Sequence, residues 1–332
     1  MVVFGMMGLV VDRNRLRWID ATRGIAILIT ILGHCIGVLE SCEYRFILSF
    51  HMPLFFFLSG FCTKVKKEES FLGYFKRKVK NILCPQIAFC FIQCIVDFIR
   101  DPSERMGIVN NLFAWFLVVM FYVSILFYWL EKAGFQKNRG VRVVAYLILM
   151  VFIIFMDQWK IQTVAHFEII PMAMLFYLLG AHCSTLDVTN YKWLHQIWIF
   201  LIPIVVCCSF WNEPVAMYLN SYGNLILFFI GAFCGIYVAC NIGWCIQNNR
   251  ILIWFGQNSI YCFVLHFALI KGLHFAGKHI FPQLALINYQ YPIYWCYFLL
   301  CIVILMAIVP VCDFWFAPLF GKWKKSRKIV LQ

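Results

Sequence analysis

Charged residues are scarce in this chain. Asp, Glu, Lys and Arg make up 13% of its 332 residues, whereas they make up about 25% of a typical soluble domain. Hydrophobic residues account for 63% of the chain, which is more apolar surface than the few charged side chains can cover. The composition therefore excludes an ordinary soluble enzyme and predicts a polytopic membrane protein.

Cysteine pairs with metal-binding or redox spacing are also lacking. The 16 cysteines include no CxxC motif and no Cys/His spacing of a zinc site. Most lie inside apolar runs, where a free thiol behaves as a small hydrophobic side chain, so we expect free thiols and no bound metal. The opening stretch MVVFGMMGLVV lacks the basic region and the A-x-A site of a signal peptide, and we do not expect one.

Apolar runs separated by short polar segments predict an all-α membrane protein with about ten transmembrane helices. The expected organisation is a cytoplasmic N-terminal segment at 1–21, a ten-helix transmembrane domain at 22–317 and a basic cytoplasmic tail at 318–332. An even number of spans places both termini on one side of the membrane. The predicted spans are 22–39, 45–63, 82–99, 109–130, 142–156, 167–183, 194–211, 223–245, 251–271 and 293–317.

The distribution of Lys and Arg indicates which side is cytoplasmic. Only six of the 28 fall on one side of the predicted topology, and all the others fall on the side that holds both termini. Cytoplasmic loops carry the excess of basic residues, so we expect both termini in the cytoplasm. The net charge of +13 is then a topology signal and does not indicate nucleic-acid binding. The six external residues are Arg45, Arg100, Arg105, Lys160, Lys271 and Lys278.

Polar residues form one stripe along the first predicted helix. Asp20, Arg23, Thr30 and His34 recur at helical spacing, which places them on one face. About three turns, roughly 16 Å, separate Arg23 from His34. Arg23 would therefore lie at the cytoplasmic entrance and His34 near the middle of the membrane, and we expect Asp20 to pair with Arg23 one turn away.

Two further histidines, His51 in the second predicted helix and His266 in the ninth, lie at nearly the depth of His34. Counting 1.5 Å per residue places all three at roughly 18–22 Å from the cytoplasmic edge. Ionisable residues within a bilayer indicate functional sites by default, so the shared depth predicts one polar cavity. The alternative is that each histidine only hydrogen-bonds to a neighbouring helix.

Candidate ligand-binding residues occur near both membrane surfaces. His166 and Glu168 begin the sixth predicted helix on the external side, either as a solvated pair or as part of an acceptor site that opens outward. The basic stretch 76–80 is either a topology determinant that contacts anionic lipid or a site for a phosphate-rich ligand, which clustered cations suit. The amphipathic segment 70–85 is expected to lie along the cytoplasmic interface.

Five segments, in the same order along the chain, resemble integral-membrane acyltransferase family 3. The first, RWIDATRGIAILITILGH, holds an Arg and a His separated by ten residues, as in the hallmark of that family. One such motif is weak evidence in an apolar sequence, but five in order are specific, and the compact length resembles the sugar O-acetylase branch. The other four segments are FHMPLFFFLSGF, AWFLVVMFYV, FYLLGAHCS and FGQNSIYCFVLHF.

The resemblance implies transfer of an acyl group, usually acetyl, from cytoplasmic acyl-CoA to a hydroxyl of a cell-surface or lipid-linked glycan. It implies a bacterial inner (cytoplasmic) membrane protein. Its partners would be acyl-CoA as donor substrate, the glycan acceptor and membrane lipids, with no bound cofactor, metal or nucleic acid. The Arg-x-x-Arg that the family often shows is Arg77-x-x-Lys80 here, and an ammonium does not reproduce the guanidinium fork. The donor phosphates would rest on Arg77, Lys80, Lys76 and Arg23.

His34 has two alternative roles in such a reaction. It is either the general base that takes the proton of the acceptor hydroxyl or part of a relay through an acyl-enzyme or carrier, and direct transfer is the preferred hypothesis. Glu168 and His166 would contribute to the acceptor site. The candidates to orient His34 or stabilise the oxyanion, which the sequence does not rank, are Ser59, Asn258, Ser259, His51 and His266.

Two other classes of function fit a polytopic protein. A transporter or flippase for a small polar solute would also bring polar residues together near the midplane. Such a protein predicts an internal repeat and broken helices at matching places, and neither is found in the sequence. A non-catalytic scaffold has no need of three intramembrane histidines. The sequence therefore favours an acyltransferase and keeps the transporter as the alternative.

Overall fold

The computed structural model describes residues 16–37, 41–100, 114–186, 197–280 and 293–320. These residues form twelve α-helices and no β-strand beyond an isolated bridge between Ala216 and Ser221. The helices are α1 Arg17–Ile36, α2 Cys42–Cys62, α3 Phe71–Lys78, α4 Cys84–Arg100, α5 Trp115–Lys132, α6 Arg139–Trp159, α7 Ile170–Cys183, α8 Trp198–Trp211, α9 Leu225–Cys245, α10 Arg250–Gln257, α11 Ser259–Ile280 and α12 Ile293–Trp315.

Eight helical segments of the described chain are long and apolar enough to cross a membrane, which confirms the all-α membrane fold. Two shorter apolar helices, Phe167–Cys183 and Trp198–Trp211, coincide with the sixth and seventh predicted spans. The count of ten spans and the cytoplasmic termini stay predictions, and residues 1–15 and 321–332 lie outside the described residues. The eight segments are Arg17–Ile36, Cys42–Cys62, Phe71–Arg100, Trp115–Lys132, Arg139–Trp159, Leu225–Cys245, Ser259–His279 and Ile293–Trp315.

Side-chain caps fix where several of these helices begin. In each case a Ser or Asn side chain accepts hydrogen bonds from backbone N–H groups of the first turn, which have no partner within the helix. Such a cap is typically worth about 1 kcal/mol of stability. The caps are Ser41 for α2, Ser70 for α3, Asn138 for α6, Asn224 for α9 and Asn249 for α10.

The two helices that carry the first predicted motifs, α1 and α2, form the centre of the bundle. α1 packs against α2, α9, α10, α11 and α12, and α2 also packs against α7, α8 and α9. The contact between α2 and α7 needs two glycines, because a Cβ on Gly60 would overlap the Tyr177 carbonyl and a Cβ on Gly180 would overlap the Phe57 carbonyl. Residues on α1 and α2 are therefore held in the most rigidly packed part of the protein.

The segment 70–85 differs from its prediction as a separate interfacial segment. A π turn at Val79–Leu83 joins α3 directly to α4, so that one helical segment runs over Phe71–Arg100. Tyr74 and Lys78 of α3 are buried, because α3 packs against α5. The basic stretch is thus part of the same helical segment as the third span, and Lys78 of that stretch is buried in the protein.

The ninth predicted span is also different, since it consists of two helices. α10 ends at Gln257, α11 begins at Ser259, and Asn258 lies between them with its side-chain amide donating to the Trp254 carbonyl at 2.9 Å. The prediction of one continuous helix over 251–271 was wrong at this point. The first span begins at Arg17 instead of 22, which brings Ile19 and Asp20 into the packed core.

Contacts between loops keep most of the basic residues at one end of the bundle. At this end, which we call the basic end, Arg17 contacts Asn248 and Lys132 donates to the Lys67 carbonyl at 3.1 Å. At the opposite end, Arg45 donates to the carbonyls of Phe210 and Asn212. This separation agrees with the predicted topology.

All 16 cysteines lie within the described residues, and all are free thiols. Six of them, Cys35, Cys90, Cys94, Cys208, Cys262 and Cys301, are buried within helices. The prediction of free thiols is confirmed.

Candidate active site

A cavity of about 440 Å³ lies at the basic end of the bundle. Residues from seven helices line it, and its described lining carries four cationic side chains but no Asp or Glu. A cavity of this size is within the range of small-molecule sites, about 300–1,000 Å³. The polar residues of the lining are Arg23, Ser59, Thr63, Lys64, Arg77, Lys78, Asn81, Tyr177, Gln257 and Ser259.

Arg77 is held at the cavity by a bidentate ion pair. Its Nε donates to Glu69 Oε1 at 3.0 Å, its Nη2 donates to Glu69 Oε2 at 2.8 Å, and Nη2 also contacts the Lys64 carbonyl at 3.2 Å. These hydrogen bonds from Arg77 hold the pKa of the Glu69 carboxyl below its usual value. Because Arg77 already has a carboxylate partner, part of its charge is neutralised before any ligand arrives.

Lys78 is the buried cation of the cavity. Its side chain is only 8% exposed, and its hydrogen-bond partner among the described residues is Thr63 Oγ1 at 3.5 Å. Thr63 in turn accepts a hydrogen bond of 2.6 Å from the Tyr177 hydroxyl, and the Lys78 ammonium lies 5.2 Å from the centre of the Tyr74 ring. A buried ammonium without a carboxylate favours an anion as its partner.

Arg23 also lines the cavity, but it does not pair with Asp20 as the sequence predicted. Within the described part of the chain, Arg23 forms no ion pair with that carboxylate. The Gln257 side chain donates to Asp20 Oδ2 at 3.2 Å instead. The buried Asp20 is thereby tied to α10, and the Arg23 guanidinium is left facing the cavity.

The other residues predicted for the donor site, and the polar candidates predicted to act beside His34, divide into two groups. Ser59 and Ser259 line the cavity together with Arg23 and Arg77. Lys76 and Lys80 are exposed and are not part of its lining, and neither is Asn258. Lys78 and Lys64 occupy the positions that were expected for Lys76 and Lys80.

The structure brings two of the predicted intramembrane histidines together. The rings of His34 and His266 lie 5.1 Å apart between centroids, and His51 is within electrostatic range of His34. The shared depth of the three rings in the membrane stays a prediction. No group of three His, Cys, Asp or Glu residues in the described ranges is arranged to hold a metal ion.

Backbone carbonyls fix the tautomers of two of these rings. His51 Nδ1 lies 2.9 Å from the Ile47 carbonyl, and His266 Nδ1 lies 3.0 and 2.8 Å from the carbonyls of Cys262 and Phe263. A carbonyl only accepts, so each Nδ1 carries the proton and each Nε2 keeps its lone pair. Among the described residues, His266 Nε2 is buried and has no hydrogen-bond partner, which leaves a proton acceptor next to His34.

The His34 ring differs from its two neighbours because it is exposed. It nevertheless lies inside the bundle, with protein densely around it, and it contacts the Phe267 ring at 5.3 Å. His34 is not among the residues that line the cavity at the basic end, so its exposed surface lies outside that cavity.

A family model described as an acyltransferase domain matches residues 16–312. The chain belongs to acyltransferase family 3. The match extends from α1 to α12 and includes the cavity and the three histidines, so this site belongs to a membrane acyltransferase. No curated protein and no solved structure matched the chain in the same comparisons.

Glu168 of this acyltransferase lies at the opposite end of the bundle and is buried, in contrast to a solvated pair. Its Oε2 accepts hydrogen bonds from Thr163 N at 3.1 Å and Thr163 Oγ1 at 2.7 Å. His166 Nδ1 lies 3.6 Å from Glu168 Oε1. His166 itself has a backbone φ of 58°, a left-handed conformation that is uncommon for residues other than glycine. The pair is thus built into the turn before α7 and is remote from the cation-lined cavity.

The residue that sequence reasoning missed is Lys78. It follows Tyr74 by four positions, so the two share a face of α3, and Tyr74 is fully buried. The aromatic residue one turn earlier is the signal that could have identified Lys78 as the inward-facing cation of this acyltransferase. The four basic residues at 76, 77, 78 and 80 otherwise look equivalent in the sequence.

Proposed function

We propose that this membrane acyltransferase moves an acetyl group from acyl-CoA at the basic end to a hydroxyl of a cell-surface or lipid-linked glycan. The observation that carries the proposal is the cavity with four cations and no carboxylate in its described lining. Coenzyme A carries several phosphates, and charge-assisted hydrogen bonds from Arg and Lys are the strong contacts for phosphate. A neutral solute would bring no negative charge to Arg23, Lys64 and Lys78.

The donor is proposed to bind with its phosphates among Arg23, Lys64, Arg77 and Lys78. The pantetheine arm would then extend along the apolar part of the lining, which Leu117, Met120, Ile260 and other apolar residues form. This direction leads from the basic end towards His34 and His266. The long, mostly apolar arm suits such a lining, because ligand sites are predominantly apolar with a few placed polar groups.

The chemical step is proposed as direct transfer. The acceptor hydroxyl attacks the thioester carbonyl carbon, a C–O bond forms, and the C–S bond breaks as the CoA thiolate leaves. His34 takes the hydroxyl proton on one ring nitrogen and returns it to the thiolate. The exposed ring of His34 is the histidine of the three that an acceptor can reach.

His266 is proposed as the positioning residue for His34. Its Nδ1 is anchored by two backbone carbonyls, so its Nε2 is a fixed acceptor at the side of the His34 ring. When His34 gains a proton, its second N–H can donate to this Nε2. This arrangement ranks His266 above Ser59 and Ser259, which lie in the cavity, as the partner of His34.

The acceptor is proposed to enter from the opposite end, where Glu168 and His166 lie. The His166 side chain is 22% exposed, whereas that of Glu168 is 1% exposed and lies 3.6 Å from it, so His166 would contact the acceptor and Glu168 would orient His166. The apolar side chains exposed on α6, α8 and α12 would face membrane lipids.

The test uses the full chain in lipid nanodiscs with radiolabelled acetyl-CoA and a glycan acceptor. Wild type should release CoA and place label on the glycan, and His34→Ala should abolish both. The matched control is His279→Ala, since His279 is an exposed histidine on the same helix as His266. Failure of wild type to turn over any acyl-CoA, or an unchanged rate in His34→Ala, would overturn the proposal and direct attention to solute uptake.

A further inference from the structure

Three phenylalanines close the inner end of the cavity. Phe55 of α2, Phe116 of α5 and Phe263 of α11 all contribute to its lining. The Phe55 and Phe116 rings are 5.6 Å apart, and the Phe116 and Phe263 rings are 5.0 Å apart. These are contact distances for aromatic rings, so the three side chains form a continuous layer, which we call the phenylalanine wall.

The phenylalanine wall lies between the cavity and the histidines. Phe263 precedes His266 by one turn, and their rings are 5.8 Å apart. Phe55 follows His51 by four residues on a helix that runs in the opposite direction, so it too lies one turn, about 6 Å, nearer the basic end. None of the described residues that line the cavity is a histidine. A ligand in the cavity must therefore pass this layer to reach His34.

Phe116 is the buried member of the wall. It is 8% exposed and also packs against Phe56 at 5.3 Å and Trp115 at 5.9 Å. Phe263 is only partly buried, lines the cavity and packs against Phe89 at 6.3 Å. Phe263 is also the ring of the wall that contacts His266.

We propose that Phe263 is a specificity-determining residue, because the space that it leaves beside Phe116 limits the size of the acyl group that reaches His34. This inference rests on the proposed function, since it takes acyl-CoA as the ligand of the cavity. The acyl carbon chain lies beyond the thioester and is the part that must pass the wall. A short acyl group needs a small displacement of one ring, whereas a long one meets the Phe116 side chain.

The test compares CoA release from acetyl-, butyryl- and octanoyl-CoA by the full chain in nanodiscs with a glycan acceptor. Wild type should favour acetyl-CoA. Phe263→Ala should raise the octanoyl-to-acetyl rate ratio by at least about tenfold, because one methylene in an apolar pocket already changes discrimination by about 10-fold or more. Phe263→Leu should shift the ratio in the same direction by less, and it keeps the test valid if the alanine variant does not fold.

Phe275→Ala is the matched control. Phe275 lies on the same helix as Phe263, about three turns further along, and does not line the cavity, so this variant should keep the wild-type ratio. If wild type turns over acyl-CoA and the ratio is the same in Phe263→Ala, Phe263→Leu and wild type, the inference is overturned and the proposed function stands. If wild type consumes no acyl-CoA of any length, both are overturned.

Discussion

The imidazole rings of His34 and His266 are 5.1 Å apart and tilted by 42°, although 231 positions separate them in the sequence. The first ring is exposed and the second is buried with one nitrogen fixed by backbone carbonyls. In the proposed reaction the two rings would therefore have different roles. His34 would meet the substrate, and His266 would act through His34.

Replacing His266 should lower turnover without weakening donor binding. We expect His266→Ala to reduce kcat by about 100-fold, because His34 loses the acceptor for its second N–H. The KM for acyl-CoA should change by no more than about twofold, since uniform binding is not affected and His266 does not line the cavity. His266→Gln, whose side-chain oxygen still accepts a hydrogen bond, should retain more activity. Steady-state kinetics would contradict this role if KM rose while kcat stayed constant.

Replacing Lys78 should have opposite effects on donor affinity and on stability. Lys78→Met removes a charge-assisted contact to the donor, worth about 1.5–3 kcal/mol, so the Kd for acyl-CoA should rise by about 10–100-fold. The same change removes a buried ammonium that has no carboxylate partner among the described residues, and the Tm without ligand should rise. Lys76→Met, at an exposed position of the same helix, should change neither quantity. Equal effects of the two substitutions would argue against a special place for Lys78.

Adding one methyl group at Gly180 should destabilise the bundle. Gly180→Ala places a Cβ against the Phe57 carbonyl, and overpacking of this kind costs about 1–3 kcal/mol. Gly272→Ala is the control on α11, because no atom lies within 4 Å of its added Cβ and glycine lowers helix stability by about 0.5–1 kcal/mol relative to alanine. In chemical denaturation in detergent, the free energy of unfolding should therefore fall for Gly180→Ala and rise for Gly272→Ala, each relative to wild type.

The ion pair between Glu69 and Arg77 should make stability depend on pH in the acidic range. The pKa of Glu69 is lowered in the folded protein, so the pair stabilises the fold above the unfolded pKa of about 4.3. That contribution is lost as pH falls through the folded pKa. Glu69→Gln should lower the free energy of unfolding by at most about 1 kcal/mol at pH 7, given that Arg77 is 37% exposed.

The pH series itself provides the check on this pair. The difference between wild type and Glu69→Gln should shrink as the pH falls and vanish below the folded pKa of Glu69. Glu68→Gln, at the neighbouring exposed glutamate, should follow wild type at every pH. A constant difference across the series would mean that the carboxylate charge is not the source of the stabilisation.

Regular spacing made part of the site predictable. Arg23 and His34 lie on one helix, so their relative height follows from the residue count alone, and the depth of His51 and His266 follows in the same way. The pairing of Asp20 was not predictable, because Gln257 reaches it from α10. Helix spacing identifies partners within a helix but not those on other helices.

The parts of the site that the sequence did not reveal depend on helix rotation. Packing of α3 against α5 determines which of the basic residues faces inward. Lys78 lines the cavity, whereas Lys76 and Lys80 do not. The phenylalanine wall could not be predicted from the sequence. The chain contains 35 phenylalanines, and no neighbouring residue distinguishes the three that form the wall. The burial of Glu168 likewise depends on the turn at Thr163, whose N–H and hydroxyl groups donate to the Glu168 carboxylate.

The π turn at Val79–Leu83 has a consequence for how this protein can change in evolution. A π turn holds one residue more than an α-helical turn, and one residue corresponds to a rotation of about 100°. Deletion of a single codon in this turn would restore a regular helix and rotate Arg77 and Lys78 away from the cavity, with no substitution at either residue. The positive charge of the cavity thus depends on the number of residues in this turn as well as on the identity of its basic residues.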